Sequence, residues 1–384
     1  MYSFLSYKNI SSIGKKAWDK CAKDDNPFLS YTFLKNLEDS NSIGPGTSWL
    51  PNYISIIDKN TIVAVCPLYI KLDSQGEYIF DHSWANAYSN AGGQYYPKIQ
   101  LSVPFTPVAG NRILINSNIK LSESNNIIES FAEYLKELTD SNFSSAHITF
   151  CSYKECKLLE KKNFLTRTGE QFHWKNNKYN DFDDFLNSLN SRKRKAIAKE
   201  RRHINNKNIK IITKSGFDIT NSDWESMYDF YNNTTDKKWG RAYLNKKFFR
   251  LLAKNFSENI LIIFAEEHNT LIAGAMHVIG KDTLYGRYWG ANKDINYLHF
   301  ELCYYQAIDW AIQNNYAFVE GGAQGPHKIQ RGYLPEKIYS SHYIADVNFR
   351  KAVENFLLEE VKIIDNDINL IKDKYTPFKK KIRF

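Results

Sequence analysis

Hydrophobic and polar positions follow one another along this chain in two successive series that share a single order of elements. In the first half, YISIIDKNTIVAVCPLYIKL holds two apolar or alternating runs joined at Asp58-Lys59-Asn60, the pattern of a β-hairpin. ILIIFAEEHNTLIAGAMHVIG repeats that plan in the second half, with its turn at His268-Asn269. Strand-like pieces follow each hairpin, EYIFDHSW in the first series and DTLYGRYWG in the second. An amphipathic helix comes next in both. It covers 126–140 in the first, where Ile127, Ile128, Phe131, Tyr134, Leu135 and Leu138 share a face, and 298–314 in the second. Short apolar strands then appear, AHITFC and YAFVEG, and each series closes on a polar turn and a last strand, FLTRTGEQFHW and IYSSHYIAD.

The recurrence predicts two related α/β units in tandem, 1–178 and 179–384, although the two series share little residue identity. The second opens with FDDFLNSLNSRKRKAIAKERRHI, where Phe182, Phe185, Leu186, Leu189, Ile197 and Ile204 can form one helical stripe. Asp181, Asp183 and Asp184 load its N-terminal end, where negative charge is favoured. A final helix over 348–372 precedes the basic tail PFKKKIRF. A length of 384 residues suits two domains of ordinary size.

Composition narrows the picture in four respects. Five scattered cysteines, without CxxC spacing or a matching histidine set, predict reduced, mostly buried thiols and no metal site. Lys8 interrupts any apolar run at the start and no window reaches the roughly 18–20 apolar residues of a membrane span, so the expectation is a cytoplasmic protein. A net charge of +9 favours an acidic partner, whether nucleic acid, anionic lipid or phosphorylated substrate. The 25 tyrosines, 24 phenylalanines and 8 tryptophans serve cores, and they also suit sugar or nucleobase sites.

The densest polar chemistry lies between Tyr285 and Leu334. There His299, Glu301, Gln324, His327, Lys328 and Arg331 fall at element ends among buried-looking strands. An unpaired buried polar group costs on the order of 1–3 kcal/mol, so such a cluster marks a candidate site. Arg287 and Tyr288 sit on the strand beside Gly286 and Gly290, which allow a ligand close to the backbone or else mark a bulged core strand. GGAQGPHKIQRG follows YAFVE at the carboxyl end of a strand, where open α/β sheets bind ligands. Its Lys328 and Arg331 supply charge and its Gln324 and His327 directed hydrogen bonds; a structural turn with surface cations is the plainer alternative. Glu301, with His299, is the candidate proton acceptor, or simply a carboxylate at a helix start. In DHSWANAY, Asp81 and Trp84 offer a platform for a sugar ring or peptide stem, or brace an inactive copy. Between Arg192 and Arg202 seven basic residues face one acidic residue, so Arg192, Lys193, Arg194 and Lys195 read as phosphate or nucleic-acid contacts, or as a solvated helix face. Cys303 lies in a tyrosine-rich helix and reads as core. No Ser-His-Asp order, nucleophile elbow, Walker loop, dinucleotide fingerprint or HExxH is present.

Several blocks between Asn26 and Pro335, including GGQYYPKIQLSVPFTPVAGNRIL, FLNSLNSRKRKAIAKERR, YGRYWG, LHFELCYYQAI and GGAQGPHKIQRGYLP, resemble the bacterial FemAB-like family of predicted N-acyltransferases. The resemblance implies an α/β (α+β) fold of two tandem GNAT-like acyltransferase domains, with mixed central sheets flanked by helices, as in the Fem-type peptidyltransferases. It also implies transfer of an acyl or aminoacyl group onto an amine, the acceptor being a peptidoglycan precursor. On this basis the C-terminal copy is catalytic and the N-terminal copy binds acceptor or is structural. No tightly bound cofactor is implied, the donor being aminoacyl-tRNA or acyl-CoA as co-substrate. Acyl-CoA users carry Q/R-x-x-G-x-G/A before the helix at Leu298; residues Gly290 to Tyr297 depart from it, which turns the expectation toward aminoacyl-tRNA. An acyl-CoA-dependent acetyltransferase of a small amine, and a non-catalytic peptidoglycan- or RNA-binding module, are the alternatives.

Overall fold

The computed structural model describes residues 2–22, 26–238, 242–322 and 325–379. It begins with β1 (Ser3–Tyr7), α1 (Lys15–Ala22), α2 (Tyr31–Asp39), β2 (Trp49–Pro51), β3 (Tyr53–Asp58), β4 (Thr61–Cys66) and β5 (Leu68–Lys71). Next come α3 (His82–Asn90), β6 (Lys98–Leu101), β7 (Leu114–Ile115), α4 (Leu121–Asn142), β8 (Ser145–Cys151), α5 (Tyr153–Glu160) and β9 (Leu165–Lys175). α6 (Phe182–Ser188), α7 (Ser191–Asn205), β10 (Lys210–Ser215), α8 (Asn221–Lys238) and α9 (Lys246–Asn255) lead to β11 (Ile260–Glu267), β12 (Thr270–Ile279) and β13 (Thr283–Ala291). α10 (Leu298–Phe300) passes through a π-turn at Glu301–Tyr305 into α11 (Gln306–Gln313), and β14 (Phe318–Glu320), β15 (Leu334–Ile344) and α12 (Val347–Leu370) follow.

Two compact units result. The first runs to Glu170 and takes in Lys337–Asn366; the second comprises Gln171–Glu336 and the chain from Asp367. In the first unit, β1, β3, β4 and β7 form a small antiparallel sheet. A second sheet places β8 between β6, which is parallel to it, and the returning β15, which is antiparallel; β5 and β2 extend the other edge. α4 covers these strands because Ile127, Ile128, Phe131 and Leu135 recur on one face and pack with Ile54, Ile99 and Ile148. Each such side chain contributes about 1.5–3 kcal/mol when fully buried.

The second unit orders its strands β10-β11-β12-β13-β14, with the last residues of β9 pairing to β14. β13 and β14 are parallel, and Leu261, Ile263, Ala275, Leu284 and Val319 pack with Leu302, Ile308 and Ile312 of the helical segment. Both hairpin turns place their two central residues in the left-handed region, Lys59 and Asn60 in one and His268 and Asn269 in the other, as the right-handed twist of the flanking strands demands.

Two expectations of local structure need correction. EYIFDHSW is not a strand: 77–81 is irregular and α3 starts at His82. Glu77 and Asp81 turn their carboxylates inward onto the buried Lys98 ammonium, and those ionic bonds replace a ladder. The single helical stripe of 182–204 is two helices, because the Asn190 side chain accepts from Lys193 N–H and starts α7 afresh while Leu189 bridges to Phe378. All five cysteines are free thiols.

Candidate functional site

The second unit has a seam where its parallel strands part. β13 pairs with β14 only from Thr283↔Phe318 to Tyr285↔Glu320, while β13 itself continues to Ala291. Beyond Tyr285 that edge has no strand partner among the described residues. On its other edge, β13 carries a bulge: Met276 faces Tyr288 but His277 faces Gly286, so Arg287 is the extra residue. β14 ends because the chain turns at Gly321-Gly322, the latter at φ 81°.

Glycines keep the seam tight. A Cβ at Gly286 would meet the Glu320 carbonyl at 3.1 Å, and one at Gly321 would meet Lys328 Cε at 3.2 Å and the Tyr304 ring at 3.3 Å. Gly290 serves a different purpose from the close ligand approach expected of it. A Cβ there would sit 1.7 Å from the Phe230 carbonyl oxygen of α8, so this glycine exists for helix-on-strand packing.

Charged groups converge on the seam with perturbed acidities. Glu320, its side chain 15% exposed, is held protonated up to about 8 by burial, with the Arg287 guanidinium opposing and Asp282 reinforcing. His173 of β9 lies opposite, its Nε2 3.9 Å from Glu320 Oε1 and 3.3 Å from Gln171 Oε1. Burial and the Lys328 charge hold that imidazole neutral down to about 4. Lys328, 1% exposed, donates from Nζ to the Gly322 carbonyl at 2.9 Å, and burial lowers its ammonium to about 8. His277, on β12 behind the bulge, is likewise lowered to about 4 by burial.

A second polar layer surrounds the helix. Tyr297, at φ 71°, leads into three residues of α10 and then the π-turn, so Glu301 stands where the helix widens. Glu301 is 2% exposed; its Oε1 accepts from Arg201 Nε at 3.2 Å and from Gln306 Nε2 at 2.7 Å. His299 lies among rings, 5.1 Å from Trp289 and 5.3 Å from Tyr304 between centroids. His327 Nε2 is 2.9 Å from the Tyr304 hydroxyl. Arg331 turns inward, Nη2 donating to both Glu200 oxygens at 3.0 Å, with its guanidinium 3.4 Å from the Phe300 ring centre. Tyr288 packs against Tyr231 and Phe249. Gln324 lies outside the described residues.

The sequence candidates therefore separate by location. Arg287 and Lys328 stand at the seam; Glu301, His299, His327 and Arg331 stand around the helix and the loop beneath it. Arg192, Lys193, Arg194 and Lys195 occupy the first turns of α7, a helix start without an acidic residue. Arg192 and Lys195 are exposed, and the other two half-buried. Further along α7, Glu200 and Arg201 face inward to Arg331 and Glu301. Asp81 and Trp84 belong to the first unit and are buried, Trp84 at 4%, so neither offers the open platform expected of them. Asp81 accepts from Lys98 Nζ at 2.6 Å and Tyr95 Oη at 2.7 Å; Lys98 holds its carboxyl well below the usual range. Trp84 packs edge-on to His342 at 5.0 Å. Glu320, His173 and His277 escaped the sequence reading. The available signal was an acid closing the apolar strand YAFVE immediately before two glycines.

Among the described residues no helix is long and apolar enough to cross a membrane, and no group of His, Cys, Asp or Glu could hold a metal ion. No curated protein sequence matches the chain significantly. Among solved structures, FemX superposes with a TM-score of 0.54 at 10% identity, covering 92% of this chain and 100% of its own. The C-terminal domain of a putative lysylphosphatidylglycerol synthetase from Agrobacterium fabrum reaches 0.52 at 7% identity, covering 91% and 95%. A tandem GNAT protein of clavulanic acid biosynthesis gives 0.44 at 7% identity, covering 90% and 99%. The fold is thus α/β, with mixed sheets flanked by helices, and is shared with FemX. The family model FemAB-like, described as peptidoglycan biosynthesis/recognition, matches residues 9–380, and the chain belongs to that family.

Proposed function

We propose that this protein transfers an acyl or aminoacyl group to an amine acceptor on a cell-wall precursor, with the chemistry at the seam of the second unit. The observation that carries this reading is the parting of β13 from β14, whose pairing ends at Tyr285 where Gly286 and Gly321 approach closely, with the buried cation Lys328 against Gly321. Strands that part in this way leave room for an acyl carbonyl to meet backbone N–H groups, the donors that stabilise a developing oxyanion. Arg287 and Lys328 add positive charge for the tetrahedral intermediate, and two carboxylates, the buried Glu301 and the half-buried Glu320, are candidates to manage the proton. Asp81 and Trp84, braced in the first unit, would act on acceptor binding only through the shape of their surroundings.

The donor favoured is an aminoacyl ester on tRNA. A pyrophosphate site needs a regular helix start with free N–H groups, whereas α10 has three residues before the π-turn. The cations Arg192 to Lys195 at the start of α7 supply sequence-independent phosphate contacts for such a donor.

Purified protein should be incubated separately with aminoacyl-tRNA and acetyl-CoA in the presence of muropeptide amines, and products read by mass spectrometry. Amide formation from the ester donor is expected. Tight, salt-sensitive binding with no amide from either donor would overturn the reading in favour of a binding module.

A further inference from the structure

We propose that Glu320, at the carboxyl end of β14, takes the proton from the attacking amine, and that His173 of β9 is its positioning residue. This deepens the acyl-transfer reading above and rests on it. Glu320 is the last paired residue on both of its ladders, opposite Tyr285 on β13 and opposite His173 on β9. Its side chain is therefore fixed by strands on either side at the point where the sheet opens. Directly opposed residues of an antiparallel pair share a face, which brings the His173 ring to 3.9 Å from the carboxylate. His173 also contacts Gln171 Oε1 through the same Nε2, so that nitrogen carries the hydrogen and the neutral ring can orient Glu320 without neutralising it.

The alternative carboxylate is less suited to the task. Glu301 Oε1 is tied to the Arg201 guanidinium and to Gln306, and Arg201 is in turn 3.7 Å from Asp309. Those contacts commit Glu301 Oε1 to an ion pair with α7 and a bond within its own helical segment. Glu320 feels Arg287 on β13 and Asp282 before that strand, with His173 opposite on β9; the Lys328 charge acts on His173. Burial outweighs Arg287 and keeps the Glu320 proton until about pH 8, close to the working range in which a general base is most effective.

In the step assigned to it, the amine lone pair forms the C–N bond to the acyl carbon while the carbonyl π pair moves to oxygen. Ionised Glu320 takes the proton from nitrogen. Collapse of the intermediate breaks the C–O bond to the donor hydroxyl, or the C–S bond of a thioester, and the departing oxygen or sulfur recovers that proton from Glu320. The carboxylate is regenerated and no further reactant is needed.

The test compares wild type, Glu320→Gln, Glu320→Asp and His173→Gln, with thermal melts to confirm folding. Wild-type kcat/KM is expected to rise with pH through the ionisation near 8. Glu320→Gln should lower kcat on the order of 10²–10⁴-fold with KM little changed and should lose that rising limb. Glu320→Asp should restore the limb in part, and His173→Gln should shift it. Wild type that makes no amide from either donor defeats the acyl-transfer reading together with this assignment. Wild-type turnover that Glu320→Gln retains, with the same limb, defeats the assignment alone. A carbon-13 NMR titration placing the Glu320 carboxyl near 4 also overturns it, whatever the activity.

Discussion

His147 and His342 sit on neighbouring strands of the first unit with their Nδ1 atoms 2.7 Å apart, a spacing that requires one ring to donate and the other to accept. His147 Nε2 contacts Ser145 Oγ at 2.8 Å and His342 Nε2 contacts Ser340 Oγ at 2.8 Å, so both rings are satisfied while neutral. Burial lowers His147 to about 3 and pushes His342 well below its ordinary value, and the Lys98 charge adds to both shifts. The unfolded chain takes up these protons below about pH 6.5, whereas the folded chain does not. The stability these rings contribute is therefore complete above that value and is lost as the pH falls below it, while Glu77, raised to about 7 by burial, contributes in the opposite direction between about 7 and 4.5. Asp81, held low by Lys98, adds a further loss once the pH falls below roughly 4. Urea denaturation followed through a first-unit tryptophan should show His342→Gln losing less stability than wild type between pH 6.5 and 4.5; the same pH dependence in both proteins would contradict the prediction.

At the scale of elements, glycine positions separate the seam from the scaffold. Gly290→Ala drives a methyl into the Phe230 carbonyl, which is backbone and cannot swing aside, so α8 must lift from β13. A loss of about 1–3 kcal/mol or more is expected, read as a lowered melting temperature. Periodicity and turn chemistry were enough to locate the hairpins at Lys59-Asn60 and His268-Asn269, the α4 stripe and the short strand ending at Glu320. They could not locate what non-local charge decides. The irregular run before α3 answers to Lys98, some twenty residues on, and Arg331 answers to Glu200 on α7. The candidate site was legible as a region, through its glycines and its cations. Its chemistry was not, because Glu320 becomes conspicuous only when β9 sets His173 against it.

For the whole molecule, the segment Lys337–Asn366 completes the first unit although it lies near the end of the chain. The antiparallel partner of β8 and the helical wall over Trp84 and Tyr95 both come from it. Arg167 is bound there by Glu360, at 2.7 Å and 2.8 Å. A fragment ending at residue 178 should therefore be insoluble or molten alone, with an open edge at β8, and should gain protection when 337–366 is supplied in trans. Hydrogen exchange at Ile148 is the readout; full protection in the isolated fragment would refute the expectation.

That late closure also orders events on the ribosome. Nascent chain emerging through the first unit holds an unfinished sheet until some two hundred further residues have been made, so cotranslational folding of this region cannot run strictly from its N-terminus. A stalled or truncated translation product would expose the β8 edge to its neighbours, and chaperone demand should track the time from synthesis of β8 to the arrival of β15.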